Sequence, residues 1–179
     1  MNIDRRQILI GAPLVVAAGV AHAQAPAANK DTLYIDLKDG RVVVKLRPDL
    51  APKHVAQVKA LAKRGFYNGI VFHRVIEGFM AQTGDPTGTG TGGSDLPNIP
   101  AEFTPTPFKR GTLGMARSQS PNSANSQFFI CFKDAPFLNN QYTVFGEVVS
   151  GMEFVDKIKR GEPPANPDKM IKVTLADPS

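Results

Sequence analysis

Polar side chains interrupt three strongly apolar runs of this chain of 179 residues. The first run, 72–85, carries Arg74 and Gln82 among Phe, Val, Ile and Met, and the others are 114–117 and 126–130. An arginine stays charged in proteins and presents several rigidly placed N–H donors. Beside an apolar surface, which lowers the local dielectric constant, such a donor stabilises charge that develops on a bound molecule. Arg74 is therefore a candidate catalytic residue.

Each of these residues also has a purely structural interpretation. Seen alone, Arg74 is more typical of a surface arginine in a salt bridge. Phe79, Met80 and Phe129 are by themselves typical of a hydrophobic core. His73 is expected to be buried and hydrogen-bonded rather than to act as a general base. Only the order in which these residues follow one another favours a functional site.

That order closely resembles the motifs of the cyclophilin family. Phe-His-Arg-Val-Ile at 72–76 is followed by Gly-Phe-Met-Ala-Gln-Thr-Gly-Asp at 78–85 and by Ser-Gln-Phe-Phe-Ile at 126–130. The resemblance runs from 32 to 149 and more loosely to 176. It implies a peptidyl-prolyl cis-trans isomerase that acts on proline-containing polypeptides without a cofactor or a metal. It also implies a mainly β fold, an eight-stranded antiparallel closed β-barrel capped by two α-helices.

The resemblance implies roles for individual residues as well. Arg74 matches the catalytic arginine of the family. The residues that match the apolar pocket for the proline ring are Phe79, Met80, Phe129 and Leu138. The residues that match groups along the groove for the substrate backbone are Gln82, Ala116 and Gln127. The remaining predicted substrate-binding residues are Gly90 and Thr91 in a glycine loop beside the pocket, and Arg117, Phe137 and Tyr142.

Rotation about an X–Pro bond agrees with these roles on physical grounds. No bond breaks, so the reaction needs neither a nucleophile nor a proton transfer. The barrier exists because the nitrogen lone pair is delocalised into the carbonyl group, and the lone pair returns to the nitrogen when the bond twists. A guanidinium aimed at that nitrogen therefore binds the twisted state more strongly than either planar state. An apolar pocket fixes the ring while the other side of the bond turns.

Several positions depart from the pattern common in the family. Phe137 stands where many eukaryotic members carry a tryptophan whose ring nitrogen contacts cyclosporin, so we expect low cyclosporin sensitivity. Tyr142 stands where a histidine is common, and Arg117 with Ser118 replaces an Asn-Ala pair. These differences are typical of bacterial members, and they leave the catalytic arginine in place.

Short strands must position these residues. Alternating apolar residues predict a β-hairpin over 32–47 with a two-residue turn at Asp39-Gly40. The further strands are predicted at 70–76, 79–83, 112–117, 127–132, 143–149 and 170–176. Pro52 and a three-to-four spacing of apolar residues predict a helix that ends near Gly65, and a second short helix is predicted from Met152 to near Gly161. Many strands with only two helices favour a mostly antiparallel barrel or sandwich.

Composition argues against several other functions. The net charge is +5, yet the basic residues are scattered, so we expect no nucleic-acid partner. The single cysteine, Cys131, lies in an apolar run and is expected to be a small buried side chain. The three histidines lack the spacing of metal ligands, so no metal site is predicted. A monomer is expected, because no coiled-coil pattern is present.

Residues 1–23 have the three parts of a bacterial export signal, a basic start with Arg5-Arg6, an apolar stretch and an Ala-His-Ala end. The arginine pair is compatible with a twin-arginine signal or with an ordinary secretory signal. Cleavage after Ala23 would leave a flexible lead-in at 24–30 and one domain at 31–177, in the periplasm and without a stable membrane anchor. Acceleration of the folding of exported proteins is the first hypothesis. A non-catalytic proline-peptide-binding chaperone of the cell envelope is the alternative.

Overall fold

A computed structural model describes residues 29–176, which form one antiparallel sheet of eight strands with two helices. The strands are β1 (Thr32–Leu37), β2 (Gly40–Leu46), β3 (Arg74–Ile76), β4 (Met80–Thr83), β5 (Thr112–Met115), β6 (Phe128–Cys131), β7 (Val144–Ser150) and β8 (Lys172–Leu175). The helices are α1 (Pro52–Lys63) and α2 (Met152–Val155), and a 3-10 turn covers Pro136–Leu138. Across the sheet the strands follow the order β3-β4-β6-β5-β7-β2-β1-β8. The predicted signal at 1–23 and most of the lead-in lie outside the described residues.

The sheet curls, but strand pairing does not close it into a barrel. Its two edge strands, β3 and β8, are not paired with each other. The chain just before each of them forms a single bridge instead, between Val71 and Lys169, flanked by a 2.8 Å hydrogen bond from the Phe72 N–H to the Asp168 carbonyl. The eight antiparallel strands and two helices are thus confirmed, whereas a fully closed barrel is not. The backbone of residues 70–72 bonds to that of 168–170 and not to that of β4, so β3 begins at Arg74 and not at the predicted residue 70.

Several predicted boundaries differ from the structure by a few residues, and two of them have a clear cause. Gly40 already pairs with Leu37, so the two-residue turn of the first hairpin is at 38–39. The second helix is a single turn, because the Ile158 N–H bonds to the Val155 carbonyl three residues back and tightens the chain. Neither helix within 29–176 has the length and the apolar composition that crossing a membrane requires.

The sheet is buried on both faces where β4, β5 and β6 run together. Ala81, Leu113 and Ile130 point into the main core, which also contains the apolar face of α1. Met80 and Phe129 point the other way, into a smaller apolar cluster. Strands covered on both faces contain unbroken apolar runs, which accounts for the sequence of β6. The smaller cluster supports the site described below.

A distant carboxylate takes the place of a local cap on α1. The residue before the helix, Ala51, offers no capping side chain. The Glu102 carboxylate accepts hydrogen bonds from the backbone N–H groups of Lys53 (3.3 Å) and His54 (2.9 Å), and it lies 2.6 Å from His54 Nδ1. Burial lowers the pKa of His54, so the neutral ring donates its Nδ1–H to Glu102. A carboxylate at this position also complements the helix dipole.

We expect the substitution Glu102→Ala to lower the free energy of unfolding by about 1–3 kcal/mol, because two helix N–H groups and the buried His54 lose their acceptor. Urea unfolding at neutral pH measures the loss. Asp95→Ala is the matched control, because Asp95 forms an exposed ion pair with Arg64 at the other end of the same helix and such pairs contribute little. Equal losses in the two variants would contradict the capping role.

Candidate active site

Strand register places one row of side chains across the sheet. Arg74 on β3 lies opposite Gln82 on β4, Gln82 lies opposite Phe129 on β6, and Phe129 lies opposite Gly114 on β5. Directly opposed residues of neighbouring strands point to the same face. A cation, an amide and an aromatic ring therefore lie side by side on the face away from the main core.

Gly114 is required where this row crosses β5. A Cβ atom there would collide with the rings of Phe129 and Phe108. These two rings stack with their centroids 5.8 Å apart. The absence of a side chain at Gly114 thus lets the Phe108 ring pack against the Phe129 ring.

An open cavity of about 880 Å³ lies over the row, within the usual size range of ligand pockets. Its apolar side contains the buried Met80, Phe129 and Leu138. Phe137 is 67% exposed at the rim, where its ring packs 5.3 Å from that of Phe79. Eleven of the thirteen predicted site residues line this cavity: Arg74, Phe79, Met80, Gln82, Gly90, Ala116, Arg117, Phe129, Phe137, Leu138 and Tyr142.

The other two predicted residues, Thr91 and Gln127, line a second cavity of about 610 Å³. The two cavities share the residues Gln82, Gly90, Ala116 and Arg117. The structure therefore brings all thirteen residues to one continuous groove. Their individual roles stay predictions.

Six residues of the first cavity were not predicted as site residues: His73, Gly88, Thr89, Gln141, Glu162 and Pro163. His73, Thr89 and Gln141 adjoin predicted residues in the sequence, and Gly88 lies two positions from Gly90, so nearness in the sequence was the available signal. Glu162 and Pro163 come from the connection between α2 and β8, which carries no recognisable motif. They reach the groove only through the fold.

Two glutamines form a hydrogen-bonded chain along the groove. Gln82 Nε2 donates to Gln127 Oε1 at 2.9 Å, and Gln127 Nε2 donates to the carbonyl groups of Gly90 (3.0 Å) and Gly92 (2.9 Å). These bonds fix the orientation of both amides. Gln82 Oε1 is left facing Arg74, whose Nη1 donates to it over a long 3.5 Å.

Arg74 forms the salt bridge that its structural interpretation expected, and it also lies in the cavity lining. It lines the cavity, and its Nε donates to Glu162 Oε1 at 2.9 Å in an ion pair. The side chain is 46% exposed. The guanidinium is thus held at the boundary between the apolar pocket and water.

Arg117 is hydrogen-bonded to backbone carbonyl groups beside the groove. Its Nε and Nη2 donate to the Gln141 carbonyl at 3.1 and 2.8 Å, and its Nη1 donates to the Ser118 carbonyl at 3.0 Å. The guanidinium also lies over the ring of Tyr142, 4.5 Å from the centroid. Tyr142 in turn meets Phe129 edge-on. Arg117 therefore joins two loops where the cavities meet.

His73 differs in part from its prediction. The ring is buried as expected, but neither nitrogen has a hydrogen-bond partner among residues 29–176. Burial lowers the pKa of His73, the nearby Asp85 opposes this, and Arg74 adds to the lowering. His73 is thus a neutral ring in the cavity wall.

Burial also raises the pKa of Cys131 to about 12. Its thiol is therefore protonated and unreactive, as its apolar surroundings in the sequence predicted. Within the described part of the chain, no three His, Cys, Asp or Glu side chains are grouped so as to hold a metal ion.

A glycine-threonine loop, 86–93, is built around the buried carboxylate of Asp85. Oδ2 accepts from the N–H groups of Thr89 (3.2 Å), Gly90 (2.6 Å) and Gly92 (3.1 Å), and Oδ1 accepts from the Thr87 N–H at 2.8 Å and hydroxyl at 2.7 Å. Burial alone would raise the pKa of Asp85, but these hydrogen bonds outweigh it and lower the pKa to about 2. Gly92 permits the close approach, since a Cβ there would overlap Oδ1.

Comparison with known proteins places this geometry in a family context. The model of a family described as cyclophilin type peptidyl-prolyl cis-trans isomerase matches residues 32–176. A probable peptidyl-prolyl cis-trans isomerase of Brucella suis is 53% identical over 191 aligned positions, which cover 98% of this chain and 97% of the relative. A peptidyl-prolyl cis-trans isomerase of Helicobacter pylori is 44% identical over 137 positions, 73% of this chain and 83% of the relative.

Solved structures agree with the sequence relatives. A cyclophilin type peptidyl-prolyl cis-trans isomerase of Cryptosporidium parvum, crystallised in the presence of the dipeptide Ala-Pro, matches with a TM-score of 0.76 and 30% identity. The match covers 82% of this chain and 99% of that one. A cyclophilin from Hirschia baltica matches with the same TM-score and 27% identity, over 82% of this chain and 74% of that one.

The Asp85 loop gives a prediction with a pH dependence. Asp85→Asn should lower the free energy of unfolding at pH 6 by about 2–3 kcal/mol, because the amide nitrogen must face N–H donors. The folded pKa of about 2 lies below the unfolded value of about 3.9. The stabilisation is therefore fully present above pH 4 and is lost as the pH falls towards 2.

Urea unfolding of the wild type and of Asp85→Asn at pH 6 and pH 2.5 tests this expectation. The difference in free energy of unfolding between the two proteins should be much smaller at pH 2.5 than at pH 6. The exposed Asp95→Asn serves as the control and should differ little from the wild type at either pH. A difference for Asp85→Asn that is the same at both pH values would count against the ionised carboxylate as the organiser of the loop.

Proposed function

The chain belongs to the cyclophilin-type peptidyl-prolyl cis-trans isomerases, and we propose that Arg74 is the residue that stabilises the twisted transition state. The observation that carries the proposal is the row in which Arg74, Gln82 and Phe129 lie side by side over one cavity. It offers a fixed cation next to a surface that fits a proline ring. The cation and the apolar surface must both act at the X–Pro bond that rotates.

The required stabilisation is moderate. The barrier to rotation is roughly 18–20 kcal/mol, and uncatalysed X–Pro exchange takes tens to hundreds of seconds. Acceleration to milliseconds needs about five powers of ten, or roughly 7 kcal/mol. A charged hydrogen bond to the prolyl nitrogen, made only in the twisted state, supplies part of this. Exclusion of water by the apolar wall strengthens it.

Arg74 has donors available for this bond. A guanidinium carries five N–H groups. Glu162 takes the one on Nε, Gln82 takes one on Nη1 at long distance, and Nη2 has no partner among residues 29–176. The side chain is therefore held at one end and available at the other.

The apolar wall suits a proline ring because it is rigid. Met80, Phe129 and Leu138 are almost completely buried, and Phe108 and Val144 pack in the same cluster. A preformed pocket loses little side-chain entropy when it takes up a ring. The Cryptosporidium parvum relative was crystallised with Ala-Pro, which supports proline-containing polypeptides as the substrates.

The second part of the proposal concerns location. We propose that residues 1–23 direct export to the periplasm, where the enzyme accelerates the folding of exported proteins. Its support is the basic start, the apolar stretch and the Ala-His-Ala end of this segment.

Arg74→Ala should lower kcat/KM for an Ala-Pro peptide by about 100-fold or more, the usual effect of removing a transition-state donor. A protease-coupled isomerase assay measures it. Arg64→Ala is the matched control, because Arg64 is an exposed, ion-paired arginine away from the groove, and its rate should equal that of the wild type. Equal rates for Arg74→Ala and the wild type would remove Arg74 from catalysis. Retained chaperone activity without turnover would instead support the proline-peptide-binding alternative.

Export is tested by producing the full chain in a Gram-negative host and sequencing the N-terminus of the periplasmic protein. We expect it to begin at Gln24. Replacement of Arg5 and Arg6 by lysine should block export only if the twin-arginine route is used. Soluble protein that retains Met1 and stays in the cytoplasm would contradict the proposal.

A further inference from the structure

A segment with no assigned role, 160–163, runs along the outer edge of the sheet beside β3. The Val75 N–H donates to the Gly161 carbonyl, and the Gly161 N–H donates to the Val75 carbonyl, both at 2.8 Å. In this antiparallel bridge the next pair of residues is Arg74 and Glu162. Opposed residues of such a pair have neighbouring side chains. Backbone pairing, and not chance surface contact, therefore brings Glu162 to Arg74.

Other contacts fix the same segment on its far side. Arg160 Nε donates to Glu77 Oε2 at 2.5 Å, and Arg160 Nη1 donates to the carbonyl groups of Asp156 and Ile158 at 2.6 Å each. The Arg160 guanidinium also lies 4.2 Å from the centroid of the Phe132 ring. Glu162 thus projects from an anchored backbone.

The Arg74–Glu162 pair is poorly placed to stabilise the fold. The two side chains are 46% and 56% exposed, and ion pairs in water contribute little to folding. The pair does define geometry, however. Glu162 holds Nε while Gln82 contacts Nη1, so two contacts at different atoms set the plane of the guanidinium. A donor that is already oriented needs no reorganisation when the substrate bond twists.

We infer that Glu162 is a positioning residue of this isomerase. Its carboxylate holds the Arg74 guanidinium by Nε and leaves the Nη2 donors for the prolyl nitrogen. Glu162 acts through Arg74 and not on the reacting atoms. The inference rests on the proposed function of Arg74 and adds to it the group that sets its orientation.

The kinetic test compares Glu162→Ala with Glu162→Gln on the Ala-Pro peptide. Glu162→Ala should lower kcat/KM by about tenfold, mainly through kcat, because the orientation of a charged donor is lost. Glu162→Gln should stay within about threefold of the wild type, because the amide oxygen accepts the same hydrogen bond. Asp95→Ala removes an exposed ion pair, with Arg64, that lies away from the groove and should leave the rate unchanged. Melting temperatures of the three variants should be similar.

A rate for Glu162→Ala equal to that of the wild type would overturn the inference, and so would an equal fall in Asp95→Ala. A rise in Glu162→Gln would show instead that the carboxylate weakens Arg74. If Arg74→Ala is fully active, the proposed function itself fails. If Arg74→Ala is inactive while Glu162→Ala is normal, only the positioning role fails.

A readout without turnover completes the test. Nitrogen-15 NMR of the Arg74 Nε–H group reports its exchange with water. Exchange should be slow in the wild type and in Glu162→Gln, and faster in Glu162→Ala. Identical exchange in all three proteins would overturn the inference even if the rates differ.

Discussion

The register of β3, β4 and β6 is the constraint on which the site depends. A shift of one residue in strand pairing exchanges the two faces of a strand. For β3 such a shift would turn Arg74 towards the main core, where an unpaired cation is very costly. The same packing that excludes this shift, Val75, Ala81 and Ile130 in the main core, therefore keeps the cation, the amide and the ring on the outer face. The strand register that packs the core is therefore the same register that places the site residues.

Around that row, the polar groups are held by hydrogen bonds within the Asp85 loop and between distant segments. Asp85 organises the glycine-threonine loop, Gln127 ties the loop to Gln82, and Arg117 joins the two loops between the cavities. Apart from the Gln82–Gln127 bond between two side chains, these bonds use backbone carbonyl or N–H groups that would otherwise need water. The groove thus combines a rigid apolar side with a polar side whose shape is set by a few buried or half-buried residues.

Much of this architecture could be predicted from the sequence, for identifiable reasons. The first hairpin followed from alternating apolar residues, the other strands followed from short apolar runs between turns, and α1 followed from Pro52 and its apolar spacing. Arg74, Gln82 and Phe129 reach one groove because their motifs form neighbouring strands. By contrast, Glu162 pairs with Arg74 across 88 positions through a single bridge, which leaves no periodic signal. The capping by Glu102 and the unpartnered ring of His73 likewise arise only when distant segments meet.

The bridge at Val75 has a further consequence for the β3 edge of the sheet. Edge strands present unpaired N–H and carbonyl groups, and extended polypeptides readily add to them as extra strands. β3 has only three residues, and both backbone groups of its middle residue are already bonded to Gly161. An extended polypeptide therefore finds no continuous template along this edge. The edge of the sheet beside the groove is thus closed to strand addition by the protein's own backbone.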